Sequence, residues 1–171
     1  SVSTDISRLM QTETWIERTI IDRLTTHDRR DKHDYGGVEK TTDDLVAACA
    51  KLDLVTSGDE PGLPSIDQVF TAETNLEPEV ETTLESLEER GLIERVGEQE
   101  RLGPPLEPGD YGTTALWEPK VEGRAEVRAI REAYSREVGA LTESHGTESD
   151  EFKRHIVTFA RTYGILPDYF G

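Results

Sequence analysis

The side chains best suited to nucleophilic, acid–base or metal chemistry in this 171-residue chain are four histidines and one cysteine. His27 and His33 fall in one polar stretch, His145 and His155 near the other end, and Cys49 stands among aliphatic residues. Structural zinc sites draw on Cys and His at regular short spacings, and no such spacing is present, so no metal is expected. Phosphate loops and nucleophile elbows are also missing. Carboxylate pairs abound, but with 36 acidic residues they carry no information. The chain therefore reads as a non-enzyme without a cofactor. Cys49 shares an apolar helix face with Leu45 and Leu52, as a buried structural thiol would. As the single cysteine it allows no internal disulfide.

The other chemistry available is contact with phosphate. From His27 to Lys40 the apolar period disappears and Arg29, Arg30 and Lys32 cluster, with Tyr35 as a stacking group and Gly36-Gly37 as a turn. This segment is either a phosphate-contacting arm or a solvated loop. Asp28, Asp31 and Asp34 cancel most of its charge and favour the loop.

The elements that must position any such contacts centre on residues 65–96. Ser65 and Gln68 form a capping-box pattern ahead of Ile66, Val69 and Phe70. Thr74-Asn75 reads as a turn, and Pro78 as the first residue of a second helix, where its missing N–H costs nothing. Val80, Leu84 and Leu87 share one face of that helix. Gly91 stops it, since only glycine takes the left-handed C′ conformation freely. Leu92 to Val96 reads as a strand.

This stretch resembles the core of winged helix-turn-helix proteins. Ser86 to Gly97, SLEERGLIERVG, is similar to the end of a recognition helix running into the first wing strand of MarR-, PadR- or TrmB-type regulators. The resemblance spans about Thr42 to Glu118. It implies a mainly α fold with a small β-hairpin: a winged core over 42–118, an N-terminal helix and polar loop over 1–41, and C-terminal helices over 119–171. It also implies double-stranded DNA as partner, with the second helix in the major groove. The outward face of that helix would present Glu79, Thr82, Thr83, Ser86 and Arg90, with Arg95 and Arg101 on the wing and Arg29 and Arg30 on the arm.

Around this core, Ile6, Leu9, Met10, Ile16, Ile20, Ile21 and Leu24 predict an amphipathic helix over about Thr4 to Thr26. Thr42 is expected to cap a helix with Leu45, Ala48, Cys49 and Leu52 inside. Gly97 to Gly112, with three prolines and four glycines, reads as a long wing tip before a strand at Thr113 to Glu118, with Trp117 anchoring the wing. Val127, Ile130, Tyr134, Val138 and Leu141 form a narrow seam. It suits a homodimer contact or packing within the chain. A last helix over about Thr147 to Gly164 is expected to bury Phe152, Ile156, Phe159, Ala160 and Tyr163.

Acids outnumber bases 36 to 19, a net charge of −17. With only five lysines, this balance resembles proteins of salt-loving archaea, whose surfaces stay hydrated where screening is nearly complete. No leader or long apolar run is seen, so a soluble cytoplasmic protein is expected. The charge also opposes ordinary DNA binding. Between Leu52 and Glu89 there are eleven acids and no lysine or arginine, whereas DNA affinity normally comes from neutralised phosphates. Bridging cations in concentrated salt would resolve the conflict. The alternative is a winged-helix protein-interaction module without DNA contact.

Overall fold

A computed structural model describes residues 14–25, 39–57, 65–103, 107–146 and 149–165. In chain order the elements are α1 (Trp15–Thr25), β1 (Lys40–Thr41), α2 (Thr42–Ser57), α3 (Ile66–Glu89), β2 (Ile93–Gly103), β3 (Glu107–Pro119), α4 (Val121–His145) and α5 (Asp150–Tyr163). The three strands form an antiparallel sheet in the order β1-β3-β2. The fold is thus mainly helical with a small sheet. No helix among the described residues is long and apolar enough to cross a membrane.

One core joins α1, α2, α3 and the base of the hairpin: Ile16, Ile20, Ile21 and Leu24 meet Leu45, Val46, Cys49, Val80, Leu84, Leu87, Ile93 and Trp117. The helix ahead of residue 42 is therefore part of that core. The start of that helix expected over residues 4–13 lies outside the described residues.

The largest departure from expectation is α3. Thr74-Asn75 makes no turn; residues 66–89 form one helix with Pro78 inside it. Pro78 lacks the N–H that would bond the Thr74 carbonyl, a loss that ordinarily breaks or kinks a helix. Tertiary packing wins, because Ala72, Leu76, Val80, Leu84 and Leu87 lie on one buried stripe that runs straight through the apparent break. The two ends are as expected. The Ser65 hydroxyl accepts from Gln68 N–H at 3.2 Å, and the Gln68 carboxamide accepts from Ser65 N–H at 2.9 Å. At the other end Gly91 has φ 77°, and Leu92 N–H donates back to Leu87 O at 3.1 Å, closing a Schellman motif.

The start of α2 differs by one residue. Thr41, not Thr42, is the cap: its hydroxyl accepts from Asp44 N–H at 3.1 Å, and the Asp44 carboxylate accepts from Thr41 N–H at 3.2 Å. Asp43 N–H, a further orphan donor of the first turn, finds the Thr114 hydroxyl of β3 at 3.3 Å. Thr42 is thereby left to accept from Trp117 Nε1 at 2.9 Å in a buried contact. Trp117 anchors the wing as expected, opposite Lys40 of β1 and Arg95 of β2.

The expected wing tip over 97–112 is largely paired strand. Glycine and proline there exclude helix but not a hairpin. Val96 is an extra residue between the Arg95 and Gly97 pairings, and a second register shift falls between Glu100 and Leu102. Gly112, at φ 81°, takes up the bend on β3.

The seam of α4 packs within the chain. Ile130 and Ala133 are buried with Tyr163 and Ile165, and Tyr134 meets Tyr163 edge to face at 5.9 Å. Ile130 and Tyr134 are therefore taken up by α5, which packs on α4 and offers its own apolar stripe of Phe152, Ile156, Ala160 and Tyr163. Val138 and Leu141 remain half-buried, and the side chain of Val127 lies outside the described residues. Arg18 is buried and donates to Thr162 O at 2.6 Å, and Arg161 stacks over Trp15 at 4.7 Å, so α5 also closes on α1.

Cys49 is fully buried, and burial pushes its thiol up to about 12, with the charge of Glu79 adding to the shift. We expect a thiol reagent to modify the folded protein at least about 100-fold more slowly than the urea-unfolded chain, because attack needs both thiolate and an opened core. Equal rates would contradict a structural role.

Candidate nucleic-acid interface

The exposed side of α3 is set by the buried stripe opposite it. Ala72, Val80, Leu84 and Leu87 face the core, so Asp67, Thr71, Glu79, Glu81, Thr82, Glu85, Glu88 and Glu89 face solvent. The helix carries eight acids and no basic residue. Burial pushes the Glu73 carboxyl up, and the neighbouring charge of Asp43 pushes it further.

Of the groups expected to meet DNA, Glu79 and Thr82 are exposed, whereas Thr83 and Ser86 are half-buried. The Thr82 hydroxyl donates to Pro78 O at 3.0 Å and that of Thr83 to Glu79 O at 2.7 Å. Thr71 and Thr74 donate to the carbonyls four residues back in the same way. Each of these hydroxyls has spent its proton locally but keeps acceptor capacity.

Arg90, Arg95 and Arg101, expected to contact phosphate, are each held by an acid of the same chain. Arg90 meets Glu17 of α1 at 3.3 Å. Arg95 pairs with Glu98 three residues along β2. Arg101 grips Asp43 with Nε at 2.8 Å and Nη2 at 3.1 Å, and this hydrogen bonding raises its pKa further. Arg29 and Arg30 lie outside the described residues. On α4, Arg131 pairs with the buried Asp22 carboxylate, at 2.7 Å and 2.8 Å.

Among the described residues, the arginines of the α3 end and the wing are thus each paired with an acid. Exposed ion pairs contribute only about 0–1 kcal/mol each, so phosphates or cations could exchange with these partners at little cost. Glu17, Asp43 and Glu98 were not foreseen as part of the surface. Only Glu98 had a local signal, its position three residues after Arg95. Glu17 and Asp43 are brought to their arginines by the tertiary fold alone.

Further along α3, Ile66 and Phe70 are 88% and 69% exposed. Four residues apart, they form an apolar spot on the first turns of the helix, beyond the part that packs on the core.

Compared with protein-family models, curated proteins and solved structures, the chain matches none.

Proposed function

We propose that the chain is a winged-helix DNA-binding regulator that works in concentrated salt. In this reading α3 is the groove-facing helix and the β2–β3 hairpin is the wing. One observation carries it: an uninterrupted helix with a solvent-facing side, lying beside a two-stranded hairpin in a helix–strand–helix–helix–hairpin order. An α-helix fits the major groove, whose width is about 12 Å. Glu79 and neighbouring carboxylates can accept from cytosine amino groups, and the threonine hydroxyls can accept from bases. The phosphate contacts must come from cations held between the acidic face and the DNA, or from Arg95 and Arg101 exchanging their acids for phosphates. A two-fold dimer would rest on Val138 and Leu141, because Ile130 and Tyr134 are covered within the chain.

A second reading, a protein-interaction module, is favoured by the exposed Ile66 and Phe70 together with the neutralised arginines. The two readings separate in one experiment. Tagged protein is incubated with sheared DNA from its own source and with a lysate, at about 1 M salt, where the Debye length is about 3 Å. The DNA reading expects enriched fragments that share a sequence, lost with Thr82→Glu and kept with Phe70→Ala. Absence of enriched DNA, with capture of a protein that depends on Phe70, would replace it with the interaction reading.

A further inference from the structure

The corner between α4 and α5 brings together three metal-ligating side chains that the sequence scatters. His145 is the last residue of α4, and Glu151 and His155 lie one turn apart near the start of α5. His145 Nδ1 is 3.5 Å from one Glu151 oxygen, and His155 Nε2 is 4.0 Å from the other. The ligand atoms of all three lie within 4.8 Å of one another. The two imidazole rings are stacked nearly parallel, with centroids 5.8 Å apart and 10° between planes.

We propose that this corner is a binding site for a first-row divalent transition ion, zinc being the most fitting. Zinc bonds nitrogen and carboxylate oxygen at about 2.0–2.2 Å. In a tetrahedron that places ligand atoms roughly 3.3–3.6 Å apart. One observed separation already matches and the others need only small rotations of side chains that are partly in solvent. Two imidazoles and one carboxylate select transition ions over Mg²⁺ and Ca²⁺, which prefer all-oxygen shells. The general acidity of the surface therefore does not account for the site: it would hold hard ions, not this one.

Hydrogen bonds tie the start of α5 to the end of α4. Ser149 caps α5 by accepting from Phe152 N–H at 3.1 Å, and its own hydroxyl donates to Gly146 O at 3.4 Å. Phe152 is buried, and the Phe159 ring lies 6.4 Å from that of His155. Bound metal joins the end of α4 to the first turns of α5, with water filling the open coordination positions.

The test is calorimetry of the whole chain with Zn²⁺ in excess Mg²⁺ and concentrated KCl, which occupy the other carboxylates. Co²⁺ absorption reports tetrahedral nitrogen ligation, and thermal melting reports the staple. One zinc per chain is expected, with a melting rise of about 5 °C or more when zinc exceeds Kd by 100-fold. His155→Ala and Glu151→Gln should each weaken binding by at least about 10–100-fold, the range that loss of even an outer partner produces. Glu143→Gln, an exposed acid on α4, should change nothing. Absence of zinc binding in Mg²⁺, or equal binding by His155→Ala and the parent protein, overturns the proposal. If His155→Ala does not fold, Glu151→Gln carries the same decision.

Discussion

Gly164→Ala is expected to destabilise the protein by about 2–5 kcal/mol, a large effect for a single methyl group. Gly164 ends α5 at φ 71°, and Ile165 N–H donates back to Ala160 O at 3.1 Å. A side chain in the left-handed region costs about 1–2 kcal/mol. The added methyl would also meet α1 backbone: Thr19 N at 2.7 Å and Trp15 O at 2.8 Å, with Arg18 Cβ at 2.8 Å. Backbone atoms cannot swing aside as a flexible side chain can, so α5 must lift from α1, and overpacking of this kind costs about 1–3 kcal/mol more. The lift would also strain the Arg18 to Thr162 bond and the Arg161–Trp15 stack. For a chain of this size the melting temperature should fall by roughly 5–20 °C. Gly139→Ala is the matched control. Gly139 lies within α4 with nothing within 4 Å of the new methyl, so that variant should gain about 0.5–1 kcal/mol from helix propensity. Urea unfolding of both variants checks the pair; equal effects would contradict the close α1–α5 crossing.

Trp117→Ala is expected to cost about 3–5 kcal/mol, as loss of a buried aromatic does. Trp117 occupies the central strand, packs in the core with Leu84 and Ile93, and bonds the first turn of α2 through Thr42. Its removal loosens three junctions together: β3 to α2, β1 to β3, and hairpin to core. Trp117→Phe keeps most of the ring and loses the N–H, so its cost should be about 1–2 kcal/mol, part for the missing volume and about 1 for the bond. Denaturant midpoints measure both. A phenylalanine variant as unstable as the alanine one would place the hydrogen bond above the packing.

Local signals in the chain were legible where one turn of backbone decides the outcome. The Ser65–Gln68 cap, the Gly91 stop, and the buried faces through Cys49 and through Phe152–Tyr163 follow from chemistry within a few residues. The Thr74-Asn75-Pro78 signal was also local, and there it misled. Leu76 extends the spacing from Ala72 to Val80, and that continuous stripe outweighs one missing N–H. The wing tip misled for a related reason: glycine and proline forbid helix, but a bulged hairpin accepts them. Contacts between distant residues left no mark in the sequence. Asp43 under Arg101, Glu17 beside Arg90 and Asp22 under Arg131 are all consequences of packing. The histidine corner was hidden in the same way, although the Glu151–His155 spacing of one helical turn was a usable half of the signal.

These ion pairs sharpen the central electrostatic claim. An α3 with eight acids, beside wing arginines already paired, opposes DNA binding through ordinary counterion release, in which affinity falls as salt rises. Under the proposed function, cations bridging carboxylates and phosphates would supply the missing positive charge, unless Arg95 and Arg101 exchange their acids for phosphates. The most direct test is the affinity of the protein for any DNA fragment enriched in the capture experiment, measured by fluorescence anisotropy across KCl concentrations from about 0.1 M, where the Debye length is about 10 Å, to beyond 1 M, where it is about 3 Å or less. The account predicts affinity that rises with salt over this range and is weaker at every concentration for Thr82→Glu. Affinity that falls steadily from the lowest salt would contradict it and return the phosphate contacts to arginines alone.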